Sequence, residues 1–208
     1  YKAFTLAEVL ITLGVIGVIA AMTLPSLIKE YQKNIWVNQL KKSISVVEQG
    51  FKMAMAKEEV GSLSETEMFR SIEPFYTIDN DSDFDKFLPH FNKYFKVIDK
   101  EYYQEFFGYK YLNGNDNMRD GQAKIILNNG TTIFFEGDYG DKSSDCEQIK
   151  SRGGSLCNMV AWITIDVNGD KGPNVMGRDN FDFRLGDNGI LYPTYGKDWA
   201  LFSKPSQD

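Results

Sequence analysis

Residues 4–25 read FTLAEVLITLGVIGVIAAMTLP, a 21-residue apolar run from Phe4 to Leu24 interrupted by one acid, Glu8, and closed by Pro25. As a helix rising about 1.5 Å per residue, the run reaches roughly 31 Å, close to the thickness of a bilayer's hydrocarbon core. A charged Glu8 deep in such a helix costs on the order of 3 kcal/mol. The Leu, Ile, Val and Phe side chains of the run together return about 5 kcal/mol, so insertion wins and the acid is tolerated. Two readings of Glu8 stand. It pairs with a positive charge from another copy of the chain, or it sits in the headgroup zone near the helix start, where its charge suits the helix dipole.

The segment departs from a secretory signal peptide, because the acid lies inside the apolar run and Ala20-Ala21-Met22 supplies no small-x-small cleavage site. Nor does the helical pattern stop. Leu27, Ile28, Tyr31, Ile35, Val37, Leu40, Ile44, Val47, Phe51 and Ala54 follow at spacings of mostly three and four, with Lys29, Lys33, Lys41, Lys42 and Lys52 largely between them. This spacing predicts one helix that leaves the membrane, becomes amphipathic and fades near Lys57. Pro25 in its interior predicts a kink or a loosened turn, and Gly14 and Gly17 weaken the helix upstream.

The stretch Lys2-Ala3-Phe4-Thr5-Leu6-Ala7-Glu8-Val9-Leu10-Ile11-Thr12-Leu13, with Gly14, Gly17 and Pro25 after it, resembles the N-terminus of type IV pilins and of type II secretion pseudopilins. The resemblance covers about the first 25 residues, and the long helix agrees beyond them. It implies cutting by a prepilin peptidase at Ala3–Phe4, methylation of the new Phe4 amine, and packing of the helix in a filament core. The family usually places Gly before the cut, and Ala3 departs from that. Glu8 matches the acid that pairs with the amine of a neighbouring subunit, so removal of the leader supplies the missing positive charge. The resemblance assigns Phe4, Glu8, Gly14, Gly17 and Pro25 to assembly. It also divides the chain into a leader remnant (1–3), a transmembrane helix (4–25), its amphipathic continuation (26–57) and an extracytoplasmic head (58–208).

Charge is split unevenly. Residues 1–57 carry 7 Lys against 3 Glu, whereas residues 58–208 carry 16 Lys and Arg against 26 Asp and Glu. The basic helix suits phosphate headgroups or acidic neighbours, and equally an ordinary solvated face. The acidic head argues against nucleic acid as a direct partner, since phosphate binding needs clustered cations. Cys146 and Cys157 are the only cysteines and flank a polar, Gly-rich stretch. Outside the cytoplasm a disulfide is the natural reading, contributing roughly 3 kcal/mol by loop closure; two unrelated thiols is the alternative.

In the head, Ser64-Glu65-Thr66-Glu67 reads as a capping box opening a short helix through Ile72. A second helix is predicted after Ser82, with Phe84, Phe87, Leu88, Phe91, Phe95 and Ile98 at helical spacing and Pro89 kinking it or delaying its start. The aromatics from Phe84 to Tyr111 read as core beneath the long helix, with an exposed adhesive patch as the alternative. Ala123–Leu127 and Thr131–Glu136 flank Asn129-Gly130, a two-residue hairpin signal. Val160–Val167 is a third strand, and Phe181–Leu185 with Ile190–Tyr192 form a hairpin around Asp187-Asn188-Gly189. A long helix, small helices and an antiparallel sheet predict an α+β fold, a pilin-like ladle whose helix packs on the C-terminal sheet.

Asp166, Asn168, Asp170 and Asn174, followed by Asp179, place oxygen side chains along a Gly-rich turn. Calcium wants six to eight hard oxygens from such a curved chain. Lys171 stands where the glycine of an EF-hand belongs, so a calcium loop and a plain turn both stand. Some pseudopilins bind calcium in a similarly placed loop. His90 is the sole histidine, no phosphate-binding or dinucleotide fingerprint occurs, and no carboxylate pair is singled out. A non-enzymatic filament subunit is expected, with copies of itself or related pilins, prepilin peptidase, the inner-membrane assembly machinery and lipid as partners. The alternative is a minor or tip subunit whose head binds a surface, a sugar or a cargo.

Overall fold

Helix α1 runs unbroken from Leu6 to Glu58, as the continuous three-and-four spacing requires. The computed structural model describes residues 5–72, 78, 80–137 and 159–194. Two compact units divide the chain, Tyr1–Asn38 and Gln39–Asp208, and the division falls inside α1. The first unit contributes the apolar part of the helix. The second contains the last turns of α1 and everything that folds on them.

Within the second unit, α1 buries one stripe, Ser43, Val47, Gly50, Phe51 and Ala54, at the intervals that keep side chains on one helix face. Two short helices follow, α2 (Glu67–Arg70) and α3 (Asp81–Phe91). A six-stranded sheet then runs as a meander in the order β1 to β6, every neighbouring pair antiparallel. Its strands are β1 (Val97–Lys110), β2 (Asp116–Leu127), β3 (Thr132–Gly137), β4 (Met159–Asp166), β5 (Asn180–Gly186) and β6 (Leu191–Pro193). A long N-terminal apolar helix and a C-terminal antiparallel sheet give an α+β layout.

An aromatic cluster joins these layers. The Phe51 ring lies 6.4 Å from Phe69, 6.3 Å from Phe91 and 5.1 Å from Phe95. Phe135 of β3 lies 4.8 Å from Phe87 and 6.0 Å from Phe69. One face of the central strands buries Ile125, Ile133, Phe135, Ile163 and Leu185 at alternate positions, and the other face buries Phe134 with Tyr109 and Met176. Burying each large apolar side chain contributes about 2–3 kcal/mol. Two turns lock onto α1: Ser43 and Thr131 share a buried hydroxyl hydrogen bond of 2.9 Å, and Leu191 N–H donates to Glu48 at 3.0 Å.

The β2–β3 connection is one residue longer than the two-residue hairpin that Asn129-Gly130 suggests. Leu127 N–H donates to Thr131 O across Asn128–Gly130. Gly130 takes φ +82° there, the left-handed conformation that closes a three-residue loop. The β5–β6 turn closes similarly around Asp187–Gly189, with Gly189 at φ +77°.

Three expectations for the head change. Ser64 does not cap α2. It lies in a 3-10 turn, Leu63–Glu65, and its N–H and hydroxyl both donate to Asp187. Thr66 stands at the N-cap position, and the Glu67 N–H goes to the Glu58 carboxylate of α1, so acceptors distant in sequence outcompete the local box. Helix α3 starts one residue before Ser82, its cap the Asn80 side chain, which accepts the Asp83 N–H. It closes two residues after Pro89, whose missing N–H interrupts the ladder. Phe95 is buried in the following turn, and Ile98 belongs to β1, where it is 66% exposed.

Candidate functional site

The apolar part of α1 starts with a reciprocal cap. Thr5 N–H and Thr5 hydroxyl both donate to Glu8 Oε2, at 2.9 and 2.8 Å, and Glu8 N–H donates back to Thr5 Oγ1 at 3.3 Å. Thr5-x-x-Glu8 is therefore a capping box, two orphan N–H groups satisfied by two side chains. Sequence reading passed over Thr5, although the spacing that shows it is the one applied to Ser64 and Glu67.

Beyond that cap the helix presents apolar side chains outward in every direction. Leu10 is 61% exposed, Ile11 66% and Ile16 62%. A Cβ at Gly14 or Gly17 would meet nothing within 4 Å, so both leave open steps on the helix surface. Pro25 lies within the continuous helix, and its missing N–H leaves the Ala21 carbonyl without its usual donor. On either side of it, Thr23 hydroxyl donates to Ile19 O at 3.0 Å and Ser26 hydroxyl to Thr23 O at 2.8 Å. Among the described residues this is the one helix long and apolar enough to cross a membrane, and its most apolar stretch buries nothing. Glu8, Gly14, Gly17 and Pro25 thus share one exposed segment. Ala3, Phe4, Cys146 and Cys157 lie outside the described residues.

The Asp166–Asp179 loop is organised around two buried carboxylates. Asp166 Oδ1 accepts the N–H groups of Asn168 and Gly169 at 3.0 and 2.8 Å. Fully buried Asp179 accepts those of Asn174 and Val175, each at 2.8 Å. Asn168 donates its amide to Gly172 O at 2.8 Å, while its Oδ1 and that of Asn174 are buried without a hydrogen-bond donor. Asn174 adopts φ +54°, a left-handed conformation that asparagine tolerates better than most residues. The loop is tied to the end of β1, where Lys110 N–H donates to Asn174 O and Met176 N–H to Lys110 O. Among the described residues no three His, Cys, Asp or Glu side chains converge as a metal group; the Asp170 side chain is not among those described.

His90 sits at the surface between the small helices. Its Nδ1 lies 3.2 Å from Glu67 Oε2, which also receives Lys93 Nζ at 2.5 Å. The Lys93 hydrogen bond and charge, with His90 adding to them, hold the Glu67 carboxyl below the ordinary range. Nearby, Tyr94 donates to Glu58 at 2.8 Å. Burial, then that bond to a carboxylate, pushes the Tyr94 phenol up to about 12. These groups join α1, α2 and α3.

Comparison of the chain with family models, characterised proteins and solved structures finds no match.

Proposed function

We propose that the chain is a non-enzymatic structural subunit of a type IV pilus-like filament or a type II secretion pseudopilus. In this reading prepilin peptidase cuts before Phe4, the helix stores the subunit in the cytoplasmic membrane with its head outside, and the assembly machinery polymerises copies through their first helices. One observation carries the reading: the most apolar stretch of α1 buries none of its residues in the chain's own fold, and the helix has a single carboxylate in its first turn. Lipid covers such a surface in the stored subunit and other helices cover it in a polymer, which explains why the segment is apolar all round. The carboxylate then has a purpose that membrane anchoring alone does not give it. N-terminal mass spectrometry of the native protein tests this, with a methylated Phe4 as its first residue expected; a chain that keeps Lys2-Ala3 contradicts it.

The Asp166–Asp179 loop extends the proposal to calcium. The undonated oxygens of Asn168 and Asn174 are the kind of hard donor a divalent cation takes, and the loop's Asp166 and Asp179 carry negative charge. Bound calcium would pin the loop and, through Lys110, the end of β1. Calorimetric titration of the full chain in detergent should show calcium-specific heat and a raised Tm, and neither signal leaves the turn closed by its own hydrogen bonds.

A further inference from the structure

We propose that Asn129 is a self-modification site: its side-chain amide converts to a carboxylate through attack by the next backbone nitrogen, and the conversion loosens the joint between the β2–β3 turn and α1. The chain contains Asn-Gly pairs at Asn113, Asn129, Asn168 and Asn188. Glycine leaves the following peptide nitrogen unshielded, so each pair is able to close a succinimide ring. At Asn129 the Gly130 nitrogen gives up its proton and bonds to Asn129 Cγ, the Cγ–Nδ2 bond breaks, and ammonia leaves with that proton. Water then opens the ring at either carbonyl, which yields aspartate or isoaspartate. No oxidant or reductant takes part.

The fold separates these pairs. Every attacking nitrogen starts from a hydrogen bond, Gly114 to Tyr111 O, Gly130 to Leu127 O and Gly189 to Gly186 O at 2.9 Å, and Gly169 to Asp166 at 2.8 Å, so opening it costs all of them alike. The asparagine side chains differ. At Asn113 and Asn129 the carbonyl oxygen accepts the N–H two residues on, each at 3.0 Å. That Asx-turn polarises Cγ and closes a ring containing both Cγ and the glycine nitrogen. Their amide nitrogens, the leaving groups, donate to none of the described residues, and both turns are exposed. Asn188 makes the same turn at 3.2 Å, but its amide nitrogen donates to the Tyr192 hydroxyl at 3.3 Å. Gly189 is also buried, and a Cβ there would lie 3.1 Å from Met55. Asn168 donates its amide nitrogen to Gly172 O, and its oxygen accepts nothing that would polarise Cγ. Of the two reactive pairs, Asn129 adjoins a lock on α1: Thr131 holds Ser43 through their buried hydroxyl bond. Either product adds a negative charge to this turn, and isoaspartate also adds a methylene to its main chain.

The full chain in detergent is aged at mildly alkaline pH in heavy-oxygen water and then mapped by peptide mass spectrometry in ordinary water. Ring opening installs the label, so only conversions during ageing are counted. Asn113 and Asn129 should convert about five- to tenfold faster than Asn168 and Asn188, the scale of the hydrogen bond that holds each slower amide. The gap should close in guanidinium. Equal rates in the folded chain overturn the proposal, and so does a gap that persists in guanidinium, because the order would then come from local sequence. The effect on the joint is read by ageing wild type beside Asn129→Ser, which keeps a turn-forming oxygen, has no amide to lose and leaves Asn113 free to convert. Aged wild type should show a lowered Tm and about fivefold faster exchange of the Leu127 N–H, which spans the turn. Aged Asn129→Ser should show neither. A Tm that holds while Asn129 converts, or a loss of equal size in Asn129→Ser, rejects the loosened joint.

Discussion

Gly50→Ala sets two physical effects against each other with opposite signs. Gly50 is buried in the α1 stripe, and alanine in a helix interior is favoured over glycine by about 1 kcal/mol. A methyl group built there would lie 2.9 Å from Phe95 Cδ1 and closer still to Cε1 and Cζ, where ordinary carbon contacts begin near 3.4 Å. Phe95 has little room to retreat. Its ring is stacked on Phe91 at 4.0 Å and 10°, and set edge-on to Phe51 at 5.1 Å. Overpacking a core costs about 1–3 kcal/mol, and a clash with a ring held on two sides belongs at the upper end. Subtracting the propensity gain leaves a net loss of about 2 kcal/mol, or roughly 4–8 °C in Tm for a domain of this size. Near-ultraviolet circular dichroism of the full chain in detergent, which follows the aromatic cluster, should show that fall. An unchanged or raised Tm would mean that propensity dominates and that α1 does not seat against Phe95 as described.

Ser43→Ala strands the Thr131 hydroxyl in the core and should cost about 1–3 kcal/mol, whereas the Ser43→Ala, Thr131→Val pair should recover most of that loss in chemical denaturation. Asp179→Asn removes the charge that holds the Asn174 and Val175 N–H groups. About 2 kcal/mol of stability should go with it, together with faster amide exchange at those two residues. The raised Tyr94 phenol has a definite consequence at high pH. An unfolded tyrosine ionises near 10, so the folded state's hold on the protonated form is intact below that pH and disappears as pH rises toward about 12. Stability measured between pH 9 and 12 should therefore fall less steeply in Tyr94→Phe than in wild type.

Elements whose pattern is set by local spacing were legible. The length of α1, the strands around Gly130 and Gly189, and the α+β order all follow from periodicity and turn chemistry that act within a few residues. The errors arose where distant residues supplied the partner. Ser64 gives its donors to Asp187, and Glu58 takes the N–H of Glu67, neither of which the interval Ser64–Glu67 discloses. Strand β1 was missed because Phe91, Phe95 and Ile98 extend a helical spacing across Pro89, and strand pairing with β2 overrides it from Val97 onward. Gly50 was unreadable for the same reason, since its necessity comes from a ring 45 residues later in the sequence. At the candidate site the case differs. Glu8 announces itself as the lone charge in an apolar run, and Thr5 was legible at three residues' distance. The two asparagine oxygens left without donors could be found only in three dimensions.

The most direct test of the central claim is the amount of polymer recovered from cells making either the wild-type chain or Glu8→Val, with both levels measured in the membrane fraction. The account predicts equal or greater membrane retention of the variant with little or no polymer, because the apolar run loses its only charged side chain and neighbouring amines lose their acceptor. Polymer from Glu8→Val at the wild-type level would contradict it.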